Sequence, residues 1–72
     1  MERTRFNHSK LKGRIIEKFG SQKAFAQNVG MPEVTLCRRL KGDIYFTQNE
    51  IFRIATALGI GMTELDAYFF AK

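Results

Sequence analysis

Arg38, Arg39 and Lys41 crowd the end of the stretch SQKAFAQNVGMPEVTLCRRLKG (Ser21 to Gly42), whose single acid is Glu33. Cations at this density suit a polyanion. On duplex DNA a guanidinium grips guanine O6/N7, a carboxylate accepts from cytosine N4, and a valine touches a thymine methyl. Glu33, Val34, Cys37 and Arg38 offer that mixture of donor, acceptor and apolar contact within six positions. The competing reading is a solvated basic face, on which an isolated exposed valine is ordinary.

Other chemistry is poorly supplied. His8 is the sole imidazole, and Ser9 beside it makes no triad. Glu64 and Asp66, two positions apart on a helix, point to different sides. Gly59-Ile60-Gly61 has two glycines of a phosphate loop, without the preceding strand or the third glycine. Cys37 lies next to Arg38, which favours the thiolate, yet no base accompanies it. One cysteine and one histidine exclude an internal disulfide and a Cys/His zinc set. No cofactor, metal or small-molecule ligand is expected, and catalysis is not.

The chain has 72 residues and a net charge of +5, enough for one small domain. Its charge is divided unevenly. Residues 1–41 hold ten Lys/Arg against three Glu, whereas residues 42–72 hold Arg53 and Lys72 against Asp43, Glu50, Glu64 and Asp66. A basic half joined to a mildly acidic one implies a polyanion met from one side. The polar N-terminus carries no secretory signal, no apolar run reaches membrane-spanning length, and a lone thiol suits a reducing compartment. A cytoplasmic location is therefore expected.

The elements that must hold these residues all read as helices. Leu11, Ile15 and Phe19 recur at i, i+4, i+8 with Ile16 beside them, capped by Asn7 or Ser9 and closed by Gly20. Ser21 caps a second helix whose inward stripe is Phe25, Ala26 and Val29, ending at Gly30. A third runs from about Pro32 to Lys41, with Pro32 in its first turn, Glu33 at the positive end of its dipole, and Leu36 and Leu40 inward. Thr47 and Glu50 compose a capping box for a fourth, with Ile51, Ile54, Ala55 and Leu58 inward and Gly59 at its end. Thr63 opens a short fifth, with Leu65, Tyr68 and Phe69 inward. Ile44 and Phe46 are expected to plug the core. The expected fold is all-α: a compact bundle of five helices over residues 9–72, preceded by a flexible basic arm of residues 1–8.

Helices two and three meet at Gly30. A turn this short reverses the chain only if one residue takes positive φ, which glycine does without steric cost, and small Ala26 permits a close crossing. These residues specify a helix-turn-helix. On helix three, Val34 lies about 160° and Arg38 about 200° round from Leu36. The face turned from the core therefore carries Glu33, Val34, Cys37, Arg38 and Lys41.

With those residues in place, the stretch resembles the Cro/CI-type (lambda repressor-like) helix-turn-helix family. Gln22, Phe25-Ala26, Gly30, Thr35-Leu36 and Gly42 carry the likeness, which extends from Ser9 to the C-terminal aromatics and is nearest to small phage-encoded regulators. The resemblance implies sequence-specific binding of a double-stranded DNA operator. It implies that Glu33, Val34 and Arg38, with Cys37 beside them, face base edges. Gln22, Lys41 and Gln48 or Asn49 would hold phosphates; apart from the resemblance, Lys23 and the Tyr45 hydroxyl are further phosphate candidates. The sequence departs from the family pattern twice. Pro32 stands where Ser or Thr usually caps helix three, and Arg39 replaces an apolar residue, which leaves it to reach phosphate or to lie along the surface.

Three uses stay open. Arg3 and Arg5 can enter a minor groove or belong to a frayed terminus. Phe70 can make a twofold homodimer contact or cap the core of a monomer. The whole module can serve as an antitoxin or antirepressor that binds protein instead of DNA.

Overall fold

The computed structural model describes residues 6–72; Arg3 and Arg5 lie outside them. Five α-helices follow in order: α1 (Ser9–Phe19), α2 (Gln22–Val29), α3 (Glu33–Lys41), α4 (Gln48–Leu58) and α5 (Leu65–Phe69). There is no strand among the described residues. The all-α, five-helix expectation is met.

Local chemistry sets the helix ends. The Asn7 side chain accepts from the Ser9 N–H at 2.9 Å, so Asn7 rather than Ser9 satisfies the opening of α1. Ser21 Oγ accepts from the Ala24 N–H at 3.1 Å and opens α2. At α4, Thr47 Oγ1 accepts from the Glu50 N–H at 3.1 Å, and the Glu50 carboxylate accepts from the Thr47 N–H at 2.8 Å. These reciprocal bonds cover amides that have no partner inside the helix. Pro32 sits one position earlier than expected, as an extended residue ahead of α3 with no side-chain cap, leaving Glu33 as the acid in the first turn. The last helix is entered through a 3₁₀ turn, Met62–Glu64.

The core gathers Leu11 and Ile15 of α1, Phe25, Ala26 and Val29 of α2, Leu36 and Leu40 of α3, Ile54, Ala55 and Leu58 of α4, and Tyr68 and Phe69 of α5. Phe25 is fully buried and meets Phe19 at 4.9 Å between ring centroids. α2 packs against α1, α3 and α4, while α1 also contacts α4 and α5.

Burial departs from expectation at three places. Ile16 is exposed, because α1 turns only its Leu11–Ile15 edge fully inward. Ile44 is exposed as well, and Phe46 alone of that pair packs on the core, edge-on to His8 and Phe69. The third concerns the expected arm. Residues 6–8 are packed: the Asn7 N–H donates to the Ala71 carbonyl at 2.6 Å, and the Phe6 ring lies against Tyr45 and Phe70. His8, expected near a frayed start, is 4% exposed.

Neither nitrogen of the His8 ring has a hydrogen-bond partner among the described residues. A buried polar atom without a partner carries its full desolvation cost. Replacing His8 with Phe keeps a flat ring against Phe46 and removes both atoms. The expected outcome is a gain of about 1–2 kcal/mol, read as a higher urea midpoint at unchanged slope. A lower midpoint would show that the polarity of the ring stabilises the fold.

Candidate nucleic-acid interface

α3 is amphipathic in the sense the sequence requires. Leu36 and Leu40 are buried, whereas Glu33, Val34, Arg38 and Lys41 are exposed, Val34 at 67%. Cys37 is half-buried at the margin of this face, so it presents an edge rather than its whole side chain. Lys23 in the first turn of α2 is exposed and Gln22 half-buried. Gln48 and Asn49, in the first turn of α4, are exposed. Tyr45 is 40% exposed, with its ring held 5.5 Å from that of Phe6.

Two leucines are a narrow apolar contribution for a helix, and α3 packs chiefly on α2. Its placement relies on polar contacts at both ends. At the N-terminal end, Gly30 adopts left-handed backbone (φ 75°, ψ 31°), and the next amide, of Met31, donates back to the Ala26 carbonyl at 2.9 Å. Met31 is buried and pins the turn to the core. Arg53 of α4 donates a guanidinium N–H to the Val29 carbonyl, placing a cation at the negative end of the α2 dipole. A Cβ on residue 30 would come within 2.9 Å of that guanidinium. The guanidinium end of a flexible side chain can give way, so it is the positive φ that calls for glycine here.

At the other end, Arg39 and Glu50 form a two-point ion pair. Arg39 Nε donates to Glu50 Oε1 at 2.9 Å and Arg39 Nη2 donates to Glu50 Oε2 at 3.2 Å. The side chains are 15% and 13% exposed. This corrects the expected role of Arg39. It neither points out toward phosphate nor lies free along the surface, because the guanidinium fork matches a carboxylate that α4 holds beside it. The pair also brings the first turn of α4, with Gln48 and Asn49, next to α3.

The cations thus divide by use. Arg14 pairs with Glu17 at 3.1 Å, Lys10 lies 4.8 Å from the centre of the Tyr68 ring, and Arg39 and Arg53 brace helices. Lys23, Arg38 and Lys41 remain on the exposed surface of the α2–α3 unit. Sequence reasoning missed the bracing role of Arg53, which acts on a carbonyl 24 residues away. No local pattern reports such a contact. Among the described residues no three His, Cys, Asp or Glu side chains cluster as a metal site, and no helix is long and apolar enough to cross a membrane.

Glu50 joins α3 to the α4 cap. Desolvation alone would raise its carboxyl pKa, but the Thr47 amide and the Arg39 guanidinium outweigh burial and hold it below the ordinary carboxylate value. A folded-state pKa below the unfolded one adds stability that is present above the unfolded pKa and lost as pH falls through the folded one. Glu50→Gln keeps a cap acceptor and removes the charge. It should cost roughly 1–3 kcal/mol at neutral pH. Urea unfolding of both proteins between neutral pH and pH about 3 checks this. The gap between them should narrow as the wild-type carboxylate protonates, and a constant gap would contradict the ion-pair assignment.

Comparison with known proteins adds a second line. The solution structure of the modulator of repression (MOR) of the temperate bacteriophage TP901-1 from Lactococcus lactis is similar, with a TM-score of 0.80 and 30% sequence identity. The match covers 93% of this chain and 90% of that one. No curated protein matches the chain. Residues 4–72 match the family described as "Protein of unknown function (DUF739)". The chain belongs to that family, since the match takes in all five helices and the turn that joins α2 to α3.

Proposed function

We propose that the protein is a phage regulator that binds duplex DNA as a Cro/CI-type helix-turn-helix protein, with α3 seated in the major groove. The exposed face of α3 carries this reading. Val34 stands 67% exposed among Glu33, Arg38 and Lys41, on a helix whose position is fixed by Arg53 at one end and Arg39–Glu50 at the other. An apolar side chain between charges is costly as plain surface and useful against base edges.

The roles follow from chemistry. Arg38 reads guanine, Val34 meets a thymine methyl, and Glu33 accepts from cytosine, with Cys37 at the edge of the contact. Gln22, Lys23, Lys41, Gln48 and Asn49 hold phosphate, helped by the partial positive charge of helix N-termini. Tyr45 contributes its hydroxyl to the same backbone. Regulation is steric: α3 and polymerase cannot share one promoter. The work belongs to the cytoplasm, requires no cofactor and involves no catalysis.

A second reading is favoured by one observation, the likeness to a protein named as a modulator of repression. In that reading the module acts as an antirepressor, and its cationic face meets an acidic protein surface.

Selection of bound duplexes from a random pool, followed by gel shifts, separates the two. A DNA reader should enrich a consensus, and log K should fall linearly with log salt. Arg38→Ala should cost about 1–3 kcal/mol and relax preference at one base pair. Gln22→Ala should weaken all duplexes alike. No binding at low salt, or equal binding to every sequence, would refute the DNA reading. Stable capture of a phage repressor without DNA would establish the second.

A further inference from the structure

Residues 6–8 do more than lead into α1. Phe6 and His8 lie two positions apart, and their rings meet two consecutive residues of the loop between α3 and α4. The Phe6 ring stands 5.5 Å from that of Tyr45, and the His8 ring stands edge-on to Phe46 at 5.2 Å. Asn7, between them, ties to the end of the chain: its N–H donates to the Ala71 carbonyl at 2.6 Å. The Phe6 ring also meets Phe70 edge-on at 5.6 Å. The Phe6 carbonyl lies 3.5 Å from where a Cβ on Gly42 would stand, so this backbone runs against the residue that ends α3. Residues 6–8 thus form a strap that joins the loop to the last residues of the chain.

We infer that Phe6 is a positioning residue for the DNA interface: with His8 behind it, it holds the loop between α3 and α4 so that Tyr45 presents its hydroxyl to the phosphate backbone. This rests on the DNA reading above and deepens it, since Phe6 acts through Tyr45. The loop has little of its own to fix it. Asp43, Ile44 and Tyr45 are exposed, and Phe46 is the loop side chain that packs on the core. Aromatic rings favour tilted and edge-on contacts at these separations. A tyrosine ring packed on Phe6 has already given up rotamer freedom that a loose surface side chain would lose on binding. Such pre-organisation strengthens a contact by lowering its ordering cost.

The other end of α3 does not depend on the strap. The turn at Gly30 is held separately, by the Met31 amide and by Arg53. Loss of the Phe6 ring should therefore loosen the loop and leave that turn unchanged.

Amide hydrogen exchange on the protein alone reads the strap. The Asp43 N–H donates to the Arg38 carbonyl at 3.2 Å, and the Met31 N–H donates to the Ala26 carbonyl at 2.9 Å. In Phe6→Ala the Asp43 amide should exchange about tenfold faster, while the Met31 amide exchanges as in wild type. Unchanged exchange at Asp43, or equal acceleration at both amides, overturns the inference. Gel shifts on a selected duplex read the role of Tyr45. Tyr45→Phe and Phe6→Ala should each weaken binding about tenfold. The double variant should lose no more than either alone, because both remove one contact. Phe6→Tyr keeps the ring and should bind like wild type. Additive losses in the double variant, or a Phe6→Ala protein with wild-type affinity, refute the positioning role. Circular dichroism checks that each variant keeps its helices, and Phe6→Leu replaces Phe6→Ala in both arms if the latter unfolds. A wild type that binds no duplex refutes the DNA reading and the role of Tyr45 with it, while faster exchange confined to Asp43 still supports the strap.

Discussion

The Arg39–Glu50 pair is the constraint on which the presentation of α3 depends. A helix that gives the core only Leu36 and Leu40 has little hydrophobic leverage to fix its rotation and tilt. Two parallel hydrogen bonds between planar groups do what further leucines would otherwise do, and they do it with direction, since a guanidinium fork meets a carboxylate in few geometries. The same carboxylate closes the α4 capping box. One side chain therefore joins the start of α4 to α3.

Arg53 supplies the matching constraint at the other end. Its bond to the Val29 carbonyl satisfies an acceptor that the end of α2 leaves without an intrahelical donor. The left-handed Gly30 then turns the chain underneath the guanidinium. Both braces come from α4, while α1 also packs against α2, and the outer face of α3 stays open to solvent. A basic chain in which two arginines are committed to structure still keeps Lys23, Arg38 and Lys41 outward. The net charge alone would have overstated the number of cations free to meet a polyanion.

Residues 6–8 meet the last residues of the chain largely through aromatics. The Phe6 ring stands between Tyr45 and Phe70, and the Phe46 ring stands between His8 and Phe69. This cluster closes the bundle at the side where the short α5 contributes little length. It explains why residues 6–8 are packed and why Phe70 is partly engaged. Against that economy, the exposure of Phe52 and Met62 stands out. Phe52 and Met62 stay in water beside a groove whose lining is uncharged.

The amino-acid sequence by itself determined the helices, their order and their ends. Period-3.6 apolar stripes, Ser21, the Thr47–Glu50 box and the glycines at 20, 30, 42 and 59 are local signals, and helix caps act over three or four residues. The outward set on α3 was legible for the same reason, because helical periodicity places Val34 and Arg38 opposite Leu36. Tertiary structure alone decided the fates of side chains whose partners lie far off in the chain. Arg39 reaches Glu50 across 11 positions and Arg53 reaches Val29 across 24. His8 is buried by Phe46, and Ile16, Ile44 and Phe52 are left outside by the packing of whole helices. Periodicity says which side of a helix is apolar. How much of that side is covered depends on the neighbours that fold against it, and no local spacing encodes their reach.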